Sequence, residues 1–121
     1  MGTDSIKLFD KVLADQMLDT GGDPLTALGD DEILLDYWGC HSHVFDGNPP
    51  GSISSLDYIS DEEGEIFVLL RPEHVDLIVR SLLAHADDLR VMNAEQVAKV
   101  AKWRDYCTAN PRYLVAYMFD L

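Results

Sequence analysis

Between Lys11 and Arg71 the chain carries no lysine or arginine. Nothing in that interval offsets its carboxylates. A surface of that sign repels nucleic acid and anionic membranes and attracts basic protein surfaces. Long apolar runs are missing too: no stretch approaches the ~20 consecutive apolar residues that a membrane-crossing helix needs. The opening residues, Met1-Gly2-Thr3-Asp4-Ser5, hold neither a basic region nor an apolar signal segment, so the expected location is cytoplasmic. Cysteine is scarce. Cys40 and Cys107 are the only two, and with no other sign of secretion they are expected as reduced thiols. Catalytic signatures are also lacking: there is no phosphate-binding glycine loop, no H-E-x-x-H and no G-x-S-x-G. Among 22 acidic residues nothing marks one pair for general acid–base work. No catalytic residue, cofactor or metal ligand is therefore assigned.

What the chain does hold is apolar material. Hydrophobic residues make up 47% of 121, enough for a core without disulfides, and the length fits one domain over 1–121. The organising stretch runs from Glu65 to Leu121. Ile66 to Leu70 is a short apolar run with β-branched members, which predicts a strand near 65–70 buried on both faces. Pro72 then occupies a helix start, where a missing N–H costs nothing, and Glu73 follows in the first turn. Val75, Ile78, Val79 and Leu82 recur at steps of three and four, which predicts a helix near 72–88. Asn93 opens a second helix near 94–109, with Val97, Val100, Trp103 and Cys107 on its stripe and Asn110-Pro111 as its end. Tyr113 to Phe119 is apolar, aromatic and short, hence a strand near 113–119. The two strands are expected to pair near the centre of a small sheet that the two helices cover.

In the first half, Ile6, Phe9, Leu13 and Met17 form a stripe that predicts a helix near 5–18, capped by Thr3 or Asp4 and stopped by Thr20-Gly21-Gly22. Asp23-Pro24 restarts a helical turn. Asp31 to Trp38 reads as a short helix near 31–38, with a strand as its rival. Gly39 to Ser52 has loop chemistry. A strand near 52–59 is expected to join the 65–70 strand through Asp61-Glu62-Glu63-Gly64. The expected architecture is α+β, a small mostly antiparallel sheet packed against helices.

The charge is lopsided. Residues 1–64 hold 14 acids against two bases, and residues 65–121 hold eight acids against seven bases, within a formal net charge of −13. Tyr37, Trp38, Phe45 and Tyr58 lie among these acids, and aromatics are the usual anchors of protein interfaces. The bland reading places them in the core. Asp30, Asp31, Glu32, Asp36, Tyr37, Trp38, Asp46, Asp57, Asp61, Glu62 and Glu63 form the expected partner-binding set. The expectation is a domain that neutralises a basic protein partner, as a bacterial immunity protein or antitoxin does against a toxin enzyme such as a nuclease.

Two alternatives stand beside it. Cys40-His41-Ser42-His43 carries zinc-ligating side chains, but the spacing matches no standard site and no second Cys/His pair complements it. A ligand-binding, metal-binding or enzymatic loop built on Cys40, His41 and His43 is the second reading. A module that dimerises through 113–119, were that strand an edge, is the third. Monomer and homodimer both remain open.

Overall fold

The computed structural model describes residues 4–35, 57–60, 66–84 and 94–118. In chain order these form β1 (Asp4–Asp10), α1 (Lys11–Asp19), a 3-10 turn (Pro24–Ala27), β2 (Leu28–Leu35), β3 (Asp57–Ser60), β4 (Ile66–Leu70), α2 (Pro72–Ala84), α3 (Ala94–Ala109) and β5 (Tyr113–Met118). The fold is α+β, as expected. The five strands are ordered β2-β1-β5-β4-β3, and every neighbouring pair is antiparallel.

β5 is the middle strand. Val115, Ala116 and Tyr117 are buried in succession, and because consecutive side chains point to opposite faces, the sheet must be covered on both. One face carries Ile6, Ile33, Val68, Leu70, Val115 and Tyr117, packed with Val75, Ile78, Val79 and Leu82 of α2 and Val100, Trp103 and Cys107 of α3. The other carries Phe9, Phe67, Leu69 and Ala116, packed with Ala14 of α1 and Ala27 of the 3-10 turn. The expected pairing of the two apolar strands holds, with Val68 opposite Tyr117. The dimerisation reading required 113–119 to be an edge, and β5 lies between β1 and β4 instead.

Both long helices form where periodicity placed them. α2 starts at Pro72 with Glu73 in its first turn. Its start is closed by His74, whose Nδ1 accepts the Arg71 backbone N–H at 3.3 Å, the reach-back half of a capping box made by an imidazole. α3 runs into β5 through a turn in which the Asn110 N–H donates to the Tyr106 carbonyl and the Tyr113 N–H to the Asn110 carbonyl, each at 2.9 Å.

Two predicted helices are corrected. Residues 5–18 are not one helix: residues up to Asp10 are β1, and α1 begins at Lys11. Ile6 and Phe9, two members of the supposed stripe, lie in different cores on opposite faces of the sheet. The cap is neither Thr3 nor Asp4 but Asp10, whose side chain accepts the Leu13 N–H at 3.1 Å. The stop is as expected. The Gly22 N–H donates to the Met17 carbonyl and the Gly21 N–H to the Leu18 carbonyl, with Gly21 at φ 77°, a Schellman closure. Residues 31–35 of the helix expected near 31–38 are not helical either, and the rival strand is what forms there. Leu28–Leu35 is a strand, with Ile33 buried and Leu34 exposed, the period-two alternation of an edge. Residues 36–38, 52–56 and 85–88 lie outside the described residues, so β3 and α2 are described only over Asp57–Ser60 and Pro72–Ala84.

This layering makes a stability prediction. Ile78 is fully buried between sheet and helix, whereas Leu83, on the same helix, is 62% exposed. Ile78→Ala is expected to cost about 3 kcal/mol and Leu83→Ala under about 0.5 kcal/mol, read as urea midpoints at unchanged slope. Equal costs would mean that α2 does not pack on the sheet by the face described.

Candidate interaction surface

The acidic segment Asp30-Asp31-Glu32 lies on β2, the outermost strand on its side of the sheet. Acids are poor strand formers in general, but charge on an edge strand discourages unwanted strand pairing. Because side chains alternate, Asp31 points to the face that α3 covers, and Asp30 and Glu32 to the other. Asp31 meets Lys99 of α3 at 3.0 Å. Glu32 lies 4.0 Å from Lys7, its cross-strand partner on β1. Both contacts are largely solvent-exposed and add little stability. Asp30 is exposed and makes no ion pair among the described residues.

The exposed acids continue off the strand. Asp15 and Asp19 of α1 and Asp23, which caps the 3-10 turn through the Leu25 N–H at 3.0 Å, all face solvent. Asp15 and Asp19 also make no ion pair among the described residues. Asp10 differs. It caps α1, and the Arg112 guanidinium grips both its oxygens, at 3.0 and 2.6 Å. That guanidinium holds the Asp10 carboxyl below the ordinary carboxylate range.

Of the four described acids of the second half, Glu73, Asp76 and Asp105 meet arginines and Glu95 makes no ion pair among the described residues. Asp76 is shared by Arg80, at 2.6 Å along α2, and Arg104, at 2.7 Å across from α3. Asp105 holds the Nε of the same Arg104 at 3.1 Å, and Glu73 meets Arg71 at 3.1 Å. The lopsided charge count thus has a counterpart in pairing. Among the described residues, one ion pair, Arg104 to Asp76, joins α2 to α3, beside pairs within each helix, while Asp15, Asp19 and Asp23 on α1 and the 3-10 turn, and Asp30 on β2, make none.

The residues expected to form the surface are only partly brought together. Asp30, Asp31 and Glu32 are adjacent on β2. Asp57 belongs to β3 at the opposite edge, about four strand spacings or ~19 Å away. Asp36, Tyr37, Trp38, Asp46, Asp61, Glu62 and Glu63 lie outside the described residues, as do Cys40, His41 and His43. Asp15, Asp19 and Asp23 were not in the expected set. The signal for them was present, since the sequence leaves Asp15 and Asp19 on the solvent side of a helix and makes Asp23 a cap.

Among the described residues, no group of three or more His, Cys, Asp or Glu side chains is placed to hold a metal ion, and no helix is long and apolar enough to cross a membrane. Cys107 is a free, buried thiol that burial pushes up to about 11, so it stays protonated and unreactive near neutral pH. Comparison with known protein families, with curated proteins and with solved structures finds no match.

His74 is buried, and desolvation pushes its pKa below the ordinary 6.5. The unfolded chain therefore takes up this proton more readily than the fold does. The contribution of neutral His74 is fully present above the ordinary value and is lost as pH falls through the folded value. The urea midpoint of the native chain is expected to fall between about pH 7 and about pH 5. In His74→Gln, which keeps an acceptor and cannot titrate, the fall should be shallower. Parallel curves for the two proteins would show that the imidazole is not held neutral at the start of α2.

Proposed function

We propose that this chain is a small acidic protein-binding domain that captures and neutralises a basic protein, in the manner of a bacterial immunity protein or antitoxin acting on a toxin enzyme. The observation that supports it is the contrast in compensation: exposed carboxylates on α1, the 3-10 turn and β2 with few cations among them, against a paired network on α2 and α3.

The mechanism is electrostatic capture followed by occlusion. A one-signed field raises the rate at which an oppositely charged partner arrives, and its reach shrinks with salt. Basic toxin surfaces, above all those that grip nucleic acid, are the complement of this field. Short-range anchors then set the lifetime of the complex, and steering sets its rate of formation. Asp30, Asp31 and Glu32 contribute to the first step because their side chains are exposed on the outermost described strand.

The test begins with a pull-down from native lysate and continues with association kinetics on the basic protein recovered, with lysozyme as a nonspecific basic control. The triple variant Asp30→Asn, Asp31→Asn, Glu32→Gln is expected to slow association about tenfold at low salt and to flatten its salt dependence. Stability should change little, because exposed ion pairs contribute little. An association rate unchanged at low salt, or recovery of no protein that binds more tightly than lysozyme, overturns the reading.

A further inference from the structure

A cleft of about 470 Å³ opens where the start of α2, the end of α3 and the beginning of β5 meet. That volume lies within the range of small-molecule sites. Its charged rim is unusual for so acidic a chain, because Lys11 and Arg71 both line it against one acid, Glu73. Glu73 already engages Arg71 at 3.1 Å. Lys11 makes no ion pair among the described residues, and its backbone is fixed by an N–H donated to the Arg112 carbonyl at 2.8 Å. The neighbouring charges Asp10 and Arg112 cancel each other at 2.6 Å.

The remaining wall is apolar and rigid. Tyr113 lines the cleft, and its ring is held by Tyr106 at 5.2 Å and lies under the Arg112 guanidinium at 5.5 Å. Leu114 continues that wall. Pro72 and Pro111 also border the cleft, and their locked φ angles limit backbone movement. The cleft therefore joins two cations to an aromatic and aliphatic surface, with the first turn of a 13-residue helix adding its favourable dipole end. The net charge of the whole molecule does not decide the potential inside. At ~0.15 M salt, exposed charges beyond roughly 8 Å are largely screened, so the lining charges, Lys11 and the Arg71–Glu73 pair, set the potential inside.

We propose that this cleft binds a small organic anion, a carboxylate carried on an apolar or aromatic body. The carboxylate sits at Lys11 and Arg71, and the body lies against Tyr113 and Leu114. This site is separate from the acidic strand β2 and does not rest on the protein-binding reading.

The full-length chain is tested with 4-fluorophenylacetate as the probe, observed by fluorine NMR, and its neutral amide as the comparison. The acid is expected to bind in the millimolar range or tighter, and the amide about tenfold more weakly. Backbone amide shifts should move at Lys11, Arg71, Thr108 and Leu114. Lys11→Gln, at an exposed position, should weaken the acid about tenfold, and Lys102→Gln, an exposed cation away from the cleft, should leave it unchanged. Unmoved amide spectra of the two ligand-free variants elsewhere in the sheet establish that the fold persists. No binding in the millimolar range, equal binding of acid and amide, equal losses in the two variants, or shifts confined to other surfaces would each overturn the proposal.

Discussion

Three consecutive buried residues in β5, Val115, Ala116 and Tyr117, impose the layout of the molecule. A strand alternates its side chains between two faces, so successive burial requires cover on both sides. α2 and α3 supply one cover with a continuous apolar stripe. The second is smaller and is assembled from α1, the 3-10 turn and the far-side residues of β1 and β4. A strand of this kind belongs in the middle, where both of its hydrogen-bonding edges are also used. β1 and β4 flank it, and β2 and β3 are pushed to the rims.

That ordering also distributes the charge. The second half of the chain contributes the central strand, one of its neighbours and the two long helices, and its Asp76 meets an arginine across the α2–α3 seam. Arg104 bridges Asp76 on α2 and Asp105 on its own helix, and a guanidinium with its fork of donors suits that dual role. The first half contributes the other neighbour, β1, both outer strands, β2 and β3, and a short helix on the thinner cover. Its acids therefore fall on elements with more surface than core, and only Lys7 and Lys11 were available in that half to offset them. Asp10 is the exception that shows the rule. Among the described residues it is the first-half acid that a second-half arginine holds in a two-pronged grip, and it sits where α1 and β5 touch.

The sequence was legible wherever one periodicity ruled a long segment. Val75, Ile78, Val79 and Leu82 could only share a face as a helix, and the start at Pro72 and the end at Asn110-Pro111 were chemically marked. The central strand was readable because an aromatic, β-branched run of that length has no comfortable helical alternative. It failed at Ser5 to Leu18 because a strand of alternating Ile6 and Leu8 abuts a helix with Leu13 and Met17, and the two periods splice into a false one. Asp10 was the available clue, an N-cap residue in the middle of the supposed helix. It failed again at Asp31 to Leu35, where acids argue against a strand by propensity but an edge position accepts them. Of the expected surface, composition singled out Asp30, Asp31 and Glu32 but not the strand that sets them side by side. The separation of Asp57 from them depended on strand order, which local pattern does not encode.

Acid on an edge strand has two physical readings, and they make the same local demand. Carboxylates at Asp30, Asp31 and Glu32 raise the cost of pairing β2 with another copy of itself, because like charges would be brought across a strand spacing. The same carboxylates lower the cost of approach for a basic surface. A protein that needed only protection from self-association could use lysine at an edge as well as aspartate, and could balance the sign elsewhere in the segment. Here Asp15, Asp19 and Asp23 extend the same sign over α1 and the 3-10 turn, none of which is an edge in danger of pairing. Edge protection accounts for β2, and capping of the 3-10 turn accounts for Asp23; Asp15 and Asp19 serve neither role, and they are the acids that bear most directly on the proposed attraction of a basic partner.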